Sequence, residues 1–368
     1  MFEPLDFPSC FGCGALLFGL RLADQGISLP IAQFESRLKR MNARPLVVVV
    51  GSINMDLVIR CDKLPRPGET KLATSLQELC GGKGANQAVA AARAGGSVSM
   101  IGCVGDDAFA NRLISNLDKE GIDTTTIQHI SNCSSGVAVV AVEEIGQNSI
   151  LVVPGANARL TPVLVQQHKA LIQSADIVLL QLEIPHETVA EVIRLANEAG
   201  VRVVLDPAPA PTTWPGAFSA NQYTNGIGQA SEPVINGISL FCPNQTEAST
   251  LTGMPVDNFD QAEAAAKKLL GQGIHAVAIT MAEQGTLLVD QNQTQCIEPF
   301  LVTPVDTTAA GDAFAGALAI RWVESNDLLQ SLSFANAAGA IAVTRHGAQQ
   351  AMATRDEIDQ FIAQRTTT

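Results

Sequence analysis

The sequence predicts an α/β fold in which helices cover both faces of a mostly parallel sheet and a second, smaller sheet lies beside it. Short aliphatic runs alternate with helical segments from residue 46 onward. These runs are continuous, as in strands that are buried on both faces. Two patches, about 55–80 and 133–154, instead show short alternating pieces separated by turn residues, which is typical of hairpins. We therefore expect one large domain with a small sheet that acts as a lid.

The elements of the large domain follow one another regularly. The first aliphatic run ends at Gly51, and a glycine-rich segment precedes the first helix. The strands predicted for the main sheet are residues 46–50, 98–104, 177–182, 201–205, 238–242 and 276–280. Helices are predicted at residues 85–94, 311–324, 328–344 and 356–364, and three more begin at Glu187, Glu247 and Gln261. A further helix, which stops at Gly121, is indicated by an apolar face of Phe109, Leu113, Ile114 and Leu117.

Two segments depart from this regularity. Residues 1–44 lack the alternation of strands and helices, and Met41 stands just before the domain at 45–368. We interpret them as an N-terminal extension, with three alternatives left open: a disordered segment, an amphipathic arm or an artefact of start-codon assignment. Residues 207–233 begin with three prolines within five residues and are predicted to be a surface insertion. Asp206 and Pro207 are interpreted as a rigid turn, with a place at a ligand site as the alternative.

Composition excludes several classes of function. The net charge of −13 repels a phosphate backbone, so we expect no nucleic-acid partner. No run reaches the roughly 18 apolar residues of a membrane span. The short apolar run at 15–20 is not expected to be a signal peptide, because no Lys or Arg precedes it. Cys10 and Cys13 have metal-site spacing without a second pair or a nearby histidine, so we expect no metal there. Scattered cysteines favour reduced thiols and a cytoplasmic location.

Three polar, glycine-containing segments follow predicted strands, where open α/β sheets bind their ligands. The first is residues 51–56, in which Asn54 and Asp56 are two positions apart. Side chains at this spacing point the same way along a strand and could bond adjacent hydroxyl groups of a polyol. An Asx turn is the structural alternative.

The second segment, residues 81–88, reads Gly-Gly-Lys-Gly-Ala-Asn-Gln-Ala. Its glycines allow close approach of a ligand, while Lys83 and Asn86 supply donors at the start of a helix. The spacing fits neither the Walker A pattern nor the GxGxxG pattern of dinucleotide-binding proteins. A plain turn at the start of a helix is the alternative.

The third segment, residues 306–314, places small residues and Asp312 at the start of an apolar helix. Unpaired amides at a helix N-terminus form an anion site. A carboxylate beside an anion site would repel phosphate, so we interpret Asp312 as a general base, with an ordinary N-cap as the alternative.

With these motifs, the chain resembles the ribokinase family of carbohydrate kinases, also called the PfkB family, over residues 46–364. The motifs that carry the resemblance occur in family order: GSINMD at 51–56, GGKGANQA at 81–88, LQLE at 180–183, PNQTEA at 243–248 and DTTAAGD at 306–312. The resemblance implies a three-layer sandwich with a small β-sheet lid. It also implies ATP-dependent phosphorylation of D-ribose at O5 to D-ribose 5-phosphate.

The resemblance further implies roles for individual residues. Asp312 is the implied base, and the implied anion hole consists of the amides of Ala309, Ala310 and Gly311. The residues implied to contact the sugar are Asn54, Asp56, Gly82, Lys83, Asn86 and Glu183. Asn244 and Glu247 would organise Mg²⁺ around the phosphates, while Thr280 and Asn336 would line the nucleotide site.

A monovalent cation and a second subunit are implied as well. The implied potassium ligands are Asp306, Thr308, Ala342, Arg345, Gly347 and Ala351, mostly through backbone carbonyls. The local sequence Gln349-Gln350-Ala351 departs from the family's usual Gln-Pro-Ser. Because lids in this family pair with each other and exposed sheet edges invite association, we expect a homodimer through the lid.

Two alternatives remain for the function. Within the same class, the substrate could be another sugar or nucleoside, with 2-deoxyribose as the nearest competitor, followed by fructose and adenosine. From another class, the chain could be a sugar or nucleotide sensor that has lost transfer chemistry. The intact Asp312, Gly311, Asn244 and Glu247 argue against a pure sensor, because binding alone needs no base.

Overall fold

The strands of the main sheet do not lie in their order along the chain, because that order reverses near the middle of the sheet. The computed structural model describes residues 44–145, 148–211 and 234–366, and all elements given below belong to one compact unit that begins at Leu46. The described strands are β1 Leu46–Val50, β2 Asn54–Cys61, β3 Ser75–Gly81, β4 Ser97–Val104, β5 Ile127–His129, β6 Gly136–Glu143, β7 Asn148–Val153, β8 Ile177–Leu180, β9 Arg202–Leu205, β10 Leu240–Phe241, β11 Ala276–Thr280, β12 Thr286–Asp290 and β13 Thr294–Ile297.

Within the described ranges, nine of these strands form the main sheet in the order β13-β12-β11-β10-β9-β8-β1-β4-β5. In this sheet, the neighbouring strands β11, β10, β9, β8, β1, β4 and β5 pair in parallel. Strands β12 and β13 are added antiparallel at one edge. The predicted fold class is therefore confirmed. Sequence reasoning missed β5, β12 and β13, and it made the 238–242 strand longer than the observed β10.

Helices pack on both faces of this sheet. The described helices are α1 Lys83–Arg93, α2 Ala110–Lys119, α3 Pro162–Gln166, α4 Lys169–Ser174, α5 His186–Glu198, α6 Gln245–Thr252, α7 Phe259–Leu270, α8 Ala310–Ser325, α9 Leu328–Ala342 and α10 Arg355–Thr366. Short 3₁₀ turns at Gly155–Arg159, Val234–Gly237, Ala282–Gln284 and Gln349–Ala351 complete the described elements.

The two faces of β1 show how the sequence builds three layers. Val47 and Val49 point into the core on one face, with α1, α8 and α9, while Val48 and Val50 point into the core on the other, with α5 and α7. A parallel strand with helices on both sides is buried throughout, which explains its unbroken aliphatic run. Small residues let helices pack closely: a Cβ on Gly316 of α8 would lie 2.5 Å from the Ala90 Cβ of α1.

A second sheet is separate from the main sheet. In the part of the chain that the structure describes, it has four strands in the order β3-β2-β6-β7. Strand β2 pairs antiparallel with β3 and parallel with β6, and β7 pairs antiparallel with β6. This small sheet, called the lid below, begins directly after the end of β1 because only three residues separate β1 from β2. Its first strand therefore starts at the carboxyl edge of the main sheet.

Several predictions made from the sequence concern residues outside the described ranges. These are the extension up to residue 43, the Cys10–Cys13 pair, the turn residues 146–147 and the 212–233 part of the proline-rich insertion. The cysteines that are described carry free thiols. Among the described helices, none combines the length and apolar character needed to cross a bilayer.

Candidate active site

The carboxyl edge of the main sheet carries a polar cavity of about 200 Å³. Parallel strands end at the same edge, so the residues that follow β9 and β10 and the last residue of β11 converge there with the starts of α1 and α8. The lining residues are Lys83, Asp206, Cys242, Asn244, Glu247, Thr280, Thr307, Ala309, Ala310, Gly311, Asp312, Phe314 and Ala315. Segments far apart in the chain thus meet at one place, as their positions after strands predicted.

The N-terminus of α8 opens onto this cavity without a side-chain cap. Ala309 precedes the helix in the left-handed conformation, with φ of 58°, and its side chain makes no capping bond. The amides of a first helical turn have no carbonyl partner within the helix. A Cβ on Gly311 would meet no atom within 4 Å, so the space beside this amide is open. The Ala310 amide donates to the Thr307 carbonyl at 3.4 Å, outside the helix. The geometry suits an anion, because the remaining amides of this turn and the helix dipole both favour negative charge.

Asp312 lies in the first turn of α8 but does not cap it. Its carboxylate points toward α1, where it accepts hydrogen bonds from Asn86 Nδ2 at 3.0 Å and Gln87 Nε2 at 3.1 Å. Burial raises the pKa of the Asp312 carboxyl, while Lys83 and the two amides oppose the rise. Asp312 is therefore a buried, oriented carboxylate on the cavity wall, as a general base requires.

Lys83 is the cation among several carboxylates of the site. Burial by itself would lower the pKa of its ammonium group, but the surrounding carboxylates outweigh this effect and raise it. These carboxylates are Asp206, Asp312, Glu183 and Glu247. Asp206 is buried, and burial raises the pKa of its carboxyl although Lys83 opposes the rise. Four carboxyl groups thus surround the ammonium group of Lys83, so the site can accommodate further cationic charge.

The start of α1 is held close to the end of β1. Ser52 Oγ donates to Glu183 Oε2 at 2.5 Å and accepts from the Gly84 amide at 3.2 Å. The same Glu183 oxygen accepts from the Lys83 amide at 3.1 Å. Gly82 has φ of 89°, and a Cβ on Gly84 would lie 2.6 Å from the Ser52 amide nitrogen. The glycine-rich segment therefore allows a backbone approach that a larger residue would prevent.

Asn54 and Asp56 lie on one face of β2, at the base of the lid. Asn54 is buried and its Oδ1 accepts from Asn157 Nδ2 at 2.7 Å. A Cβ on Gly81 would lie 2.0 Å from Asp56 Oδ2, so Gly81 leaves the room for that carboxyl. Burial, followed by the charges of Glu183 and Asp312, raises the pKa of Asp56 to about 7. The pair can donate and accept hydrogen bonds, which matches hydroxyl groups.

Asn244 and Glu247 form a capping box at the start of α6. The Glu247 amide donates to Asn244 Oδ1, and the Asn244 amide donates to Glu247 Oε2, each at 2.8 Å. Both residues also line the cavity, as does Thr280. Asn336 differs, because its side chain accepts from Thr286 Oγ1 at 2.7 Å and donates to the Glu298 carbonyl at 3.1 Å. Asn336 is not among the residues that line the cavity.

The residues implied as potassium ligands lie on two loops that contact each other and at the end of α9, from which one of these loops starts. Asp306 accepts from the Thr308 amide at 2.9 Å through one oxygen and from the Gly347 amide at 3.0 Å through the other. These bonds hold the pKa of Asp306 below its ordinary value although burial raises it. Ala342 ends α9 and its carbonyl accepts from the Arg345 amide at 3.1 Å. Ala351 lies in the 3₁₀ turn that follows Gly347.

Sequence reasoning missed several polar residues of the site. Gln87 stands beside Asn86 in the second motif, and Gln181 lies within the LQLE segment, so motif membership was a usable signal for both. Asp206 follows β9 and lines the cavity, and therefore the alternative of a ligand site is favoured over a turn alone. Ser52 lies within the GSINMD segment and Gln349 within the Gln349-Gln350-Ala351 segment, so position in a family segment was a signal for these two as well. Asn157 belongs to no motif, and its partner Asn54 is 103 positions away.

Comparison with known proteins gives a consistent result. The sequence model described as pfkB family carbohydrate kinase matches residues 44–355. A ribokinase of Haemophilus influenzae is 37% identical over 319 residues, which cover 87% of this chain and 99% of that protein. A deoxyribokinase of Salmonella typhi is 36% identical over 317 residues, which cover 86% of this chain and 98% of that protein.

Solved structures agree in fold. The ribokinase of Thermotoga maritima matches with a TM-score of 0.74 and 36% identity, covering 87% of this chain and 99% of that chain. The ribokinase of Arabidopsis thaliana, solved in complex with ribose and ATP, matches with a TM-score of 0.76 and 34% identity at the same coverage.

Proposed function

Because the chain belongs to the pfkB family of carbohydrate kinases, we propose that it transfers the γ-phosphoryl group of ATP to O5 of D-ribose. The observation that carries this proposal is the position of Asp312. Its carboxylate lies on the wall of the cavity onto which the uncapped amides of α8 open. A base for a hydroxyl group next to an anion site is the arrangement that phosphoryl transfer to a sugar requires.

In this proposal each group of the site has a defined task. Asn54 and Asp56 bind sugar hydroxyls, together with Gly82, Lys83, Asn86 and Glu183. Asp312 takes the proton of the attacking hydroxyl as the new O–P bond forms. The bond between the γ-phosphorus and the bridging oxygen breaks, and ADP leaves with that electron pair. The amides of Ala309, Ala310 and Gly311 stabilise the charge on the transferred group.

Magnesium fits the donor set at the nucleotide side of the cavity. Asn244 and Glu247 present oxygen atoms there, which are the ligands that Mg²⁺ prefers, and each keeps lone pairs beyond the capping box. When bound with ATP, Mg²⁺ neutralises phosphate charge. Thr280 lines the same cavity and is proposed to contact the nucleotide.

Potassium is proposed as an activating cation at the two contacting loops. The Asp306 carboxylate and the backbone carbonyls of that region are oxygen donors suited to a hard cation. The proposed ligands are Asp306, Thr308, Ala342, Arg345, Gly347 and Ala351. Because Asp306 precedes the amides of α8 by a few residues, a cation there would act on the anion site through the 306–310 backbone.

The substrate assignment is tested by ADP release from ATP and Mg²⁺ with ribose, 2-deoxyribose, fructose or adenosine, each in potassium or sodium. We expect ribose to have the highest kcat/KM, at least about tenfold above 2-deoxyribose, because a site that bonds a hydroxyl disfavours the analogue without it. We also expect faster turnover in potassium than in sodium.

The second candidate substrate is 2-deoxyribose, because the Salmonella typhi deoxyribokinase is about as similar to this chain as the ribokinase relatives are. A higher kcat/KM for 2-deoxyribose would select it and reject ribose. Absence of turnover with every sugar, combined with retained sugar binding in calorimetry, would favour the sensor. Equal turnover in potassium and sodium would reject the proposed cation site.

We further propose that the protein forms a homodimer through the lid. Residues 150–153 of the edge strand β7 are all exposed apolar side chains, so neither face of this strand is covered. Unpaired strand edges with apolar side chains associate readily. Leu151, which is 73% exposed, is expected to lie in the interface.

We expect Leu151→Asp to convert the dimer into a monomer in sedimentation-velocity experiments at micromolar concentration. Val163→Asp is the matched control, because Val163 is 70% exposed but belongs to α3 rather than to the lid. This variant should remain dimeric. A monomeric wild-type protein at the same concentration would reject the proposal.

A further inference from the structure

Both oxygens of the Asp312 carboxylate are bound by chains of side-chain amides that extend away from the cavity. In the first chain, Asn116 Nδ2 donates to Gln349 Oε1 at 2.6 Å, and Gln349 Nε2 donates to Asn86 Oδ1 at 3.1 Å. Asn86 Nδ2 then donates to Asp312 Oδ2 at 3.0 Å. We call this series the long relay. It connects α2, the 3₁₀ turn at Gln349–Ala351, α1 and α8.

The second chain, called the short relay, begins at Gln181. Gln181 Nε2 donates to Gln87 Oε1 at 2.6 Å, and Gln87 Nε2 donates to Asp312 Oδ1 at 3.1 Å. The same Gln87 nitrogen donates to Asp206 Oδ2 at 2.9 Å. Gly51 leaves room for the relay, because a Cβ there would lie 2.0 Å from Gln181 Oε1.

The polarity of both relays follows from the charge of Asp312. A carboxylate only accepts hydrogen bonds, whereas an amide side chain has one donating end and one accepting end. Asn86 must therefore turn its NH₂ group toward Asp312, which leaves its oxygen for Gln349. Gln349 must in turn direct its NH₂ group to Asn86 and its oxygen to Asn116. One anion thus determines the orientation of every amide in the series.

Burial makes this arrangement costly to disturb. Gln87 and Gln181 are fully buried, and Asn86 and Gln349 are at most 5% exposed. A buried amide that loses its partner carries a desolvation cost, so the relay members stabilise one another. The Arg93 guanidinium also donates to the Gln349 backbone carbonyl at 2.8 Å, which holds the relay from its outer side. The carboxylate is consequently fixed by Asn86, which is a proposed sugar contact, and by glutamines that do not line the cavity.

We propose that Gln349 and Gln87 are positioning residues for the proposed phosphoryl transfer, each holding the Asp312 carboxylate in one orientation through a directional amide relay. This inference rests on the proposed function only for what Asp312 does. Neither glutamine lines the cavity, so each acts through Asp312 or through Asn86. Donors directed at the carboxylate favour its ionised form, in which it can take a proton.

The experiment compares two replacements of Gln349. Gln349→Leu removes the amide, whereas Gln349→Glu keeps its size but supplies an ionised group that cannot donate to Asn86. We expect both to lower kcat by about tenfold with little change in the KM for ATP. The acidic limb of the pH profile of kcat/KM should move to higher pH by several tenths of a pH unit, because Asp312 loses support for its charge.

Further variants distinguish a loss of positioning of the Asp312 carboxylate from a disturbance of the 343–351 loop. Asn116→Ala breaks the outer end of the long relay without replacing a residue of the 343–351 loop, and we expect a smaller shift in the same direction. Asn111→Ala on the same helix is the matched control, because Asn111 is exposed and outside the relay. Gln87→Leu, which removes a direct donor, should give the largest shift, about one pH unit. A purely structural role would lower the melting temperature without moving the pH profile.

A second measurement needs no turnover. The Asp312 carboxyl carbon can be titrated by ¹³C NMR, with Asp312→Asn identifying its signal. The described charged groups whose fields reach Asp312 are Lys83, Asp56, Glu183 and Asp206, and none of them is replaced in the relay variants. Gln349→Leu is the decisive variant, because Gln349→Glu adds a charge and Gln87→Leu also removes a donor to Asp206 Oδ2. A higher Asp312 pKa in Gln349→Leu would support the relay even if every sugar failed as a substrate. An unchanged pKa and pH profile in Gln349→Leu, Gln349→Glu and Gln87→Leu would overturn it.

Discussion

Asp312→Asn is expected to lower kcat for sugar phosphorylation by about 10²- to 10⁴-fold, the usual contribution of a general base. The variant loses the group that takes the hydroxyl proton, while the amides of α8 and the carboxylates of the sugar site remain. Sugar and ATP binding, measured by calorimetry, should therefore stay within about tenfold of wild type. The expected result is a large change in kcat with a small change in KM.

The free energy of unfolding should fall by about 1–3 kcal/mol in this variant, which leaves the protein folded. The introduced amide would offer one acceptor oxygen where Asp312 offers two, so one of the buried amides of Asn86 and Gln87 loses its acceptor. Asp260→Asn is the matched control, because Asp260 is exposed in the first turn of α7, far from the cavity lining. It should leave turnover unchanged. Turnover of Asp312→Asn within a few fold of wild type would show that another group takes the proton.

Lys83→Met is expected to destabilise the protein by about 2–4 kcal/mol at neutral pH and to lower kcat/KM by about 10²-fold. Lys83 offsets the charges of Asp206, Asp312, Glu183 and Glu247. Without it, these carboxylates repel one another in a partly dehydrated site, and the sugar loses a donor. Urea unfolding and steady-state kinetics measure the two effects.

The loss of stability should depend on pH with a definite sign. Removing Lys83 raises the pKa values of Asp206 and Asp312 further above their values in the unfolded chain. Groups with a raised pKa in the folded state lose stability as the pH rises through that pKa. The destabilisation should therefore be larger at about pH 8.5 than at about pH 5.5.

Lys119→Met is the control for this experiment. Lys119 is exposed at the end of α2 and carries the same charge outside the site. Its replacement should shift stability by less than about 0.5 kcal/mol at either pH. A Lys83→Met protein with the same stability as wild type at both pH values would show that solvent, rather than Lys83, compensates the carboxylates.

Most of the parallel strands, in their order along the chain, and the sheet edge that carries the candidate site could be predicted from the sequence. Continuous aliphatic runs such as Leu46–Val50 indicate buried parallel strands, and the polar segments that follow them must meet at one edge of the sheet. The capping box of Asn244 and Glu247 is also local, because the spacing of three residues is its signature. Such features depend on residues that are close in the sequence, so the periodicity and spacing of the residues predict them.

Other features were decided by the tertiary structure alone. Asn86 meets Asp312 across 226 positions and Gln349 across 263, and no local pattern encodes contacts between such distant residues. The same reason explains why Asn336 bonds Thr286 and the 297–298 carbonyls instead of lining the cavity. Strand β13 was missed because an exposed strand at a sheet edge lacks an aliphatic run, whereas β12, which lies between β11 and β13, has only the three apolar residues at 287–289. The sequence therefore determined the layers and the chemical groups of the site, whereas packing decided which groups hold one another in place.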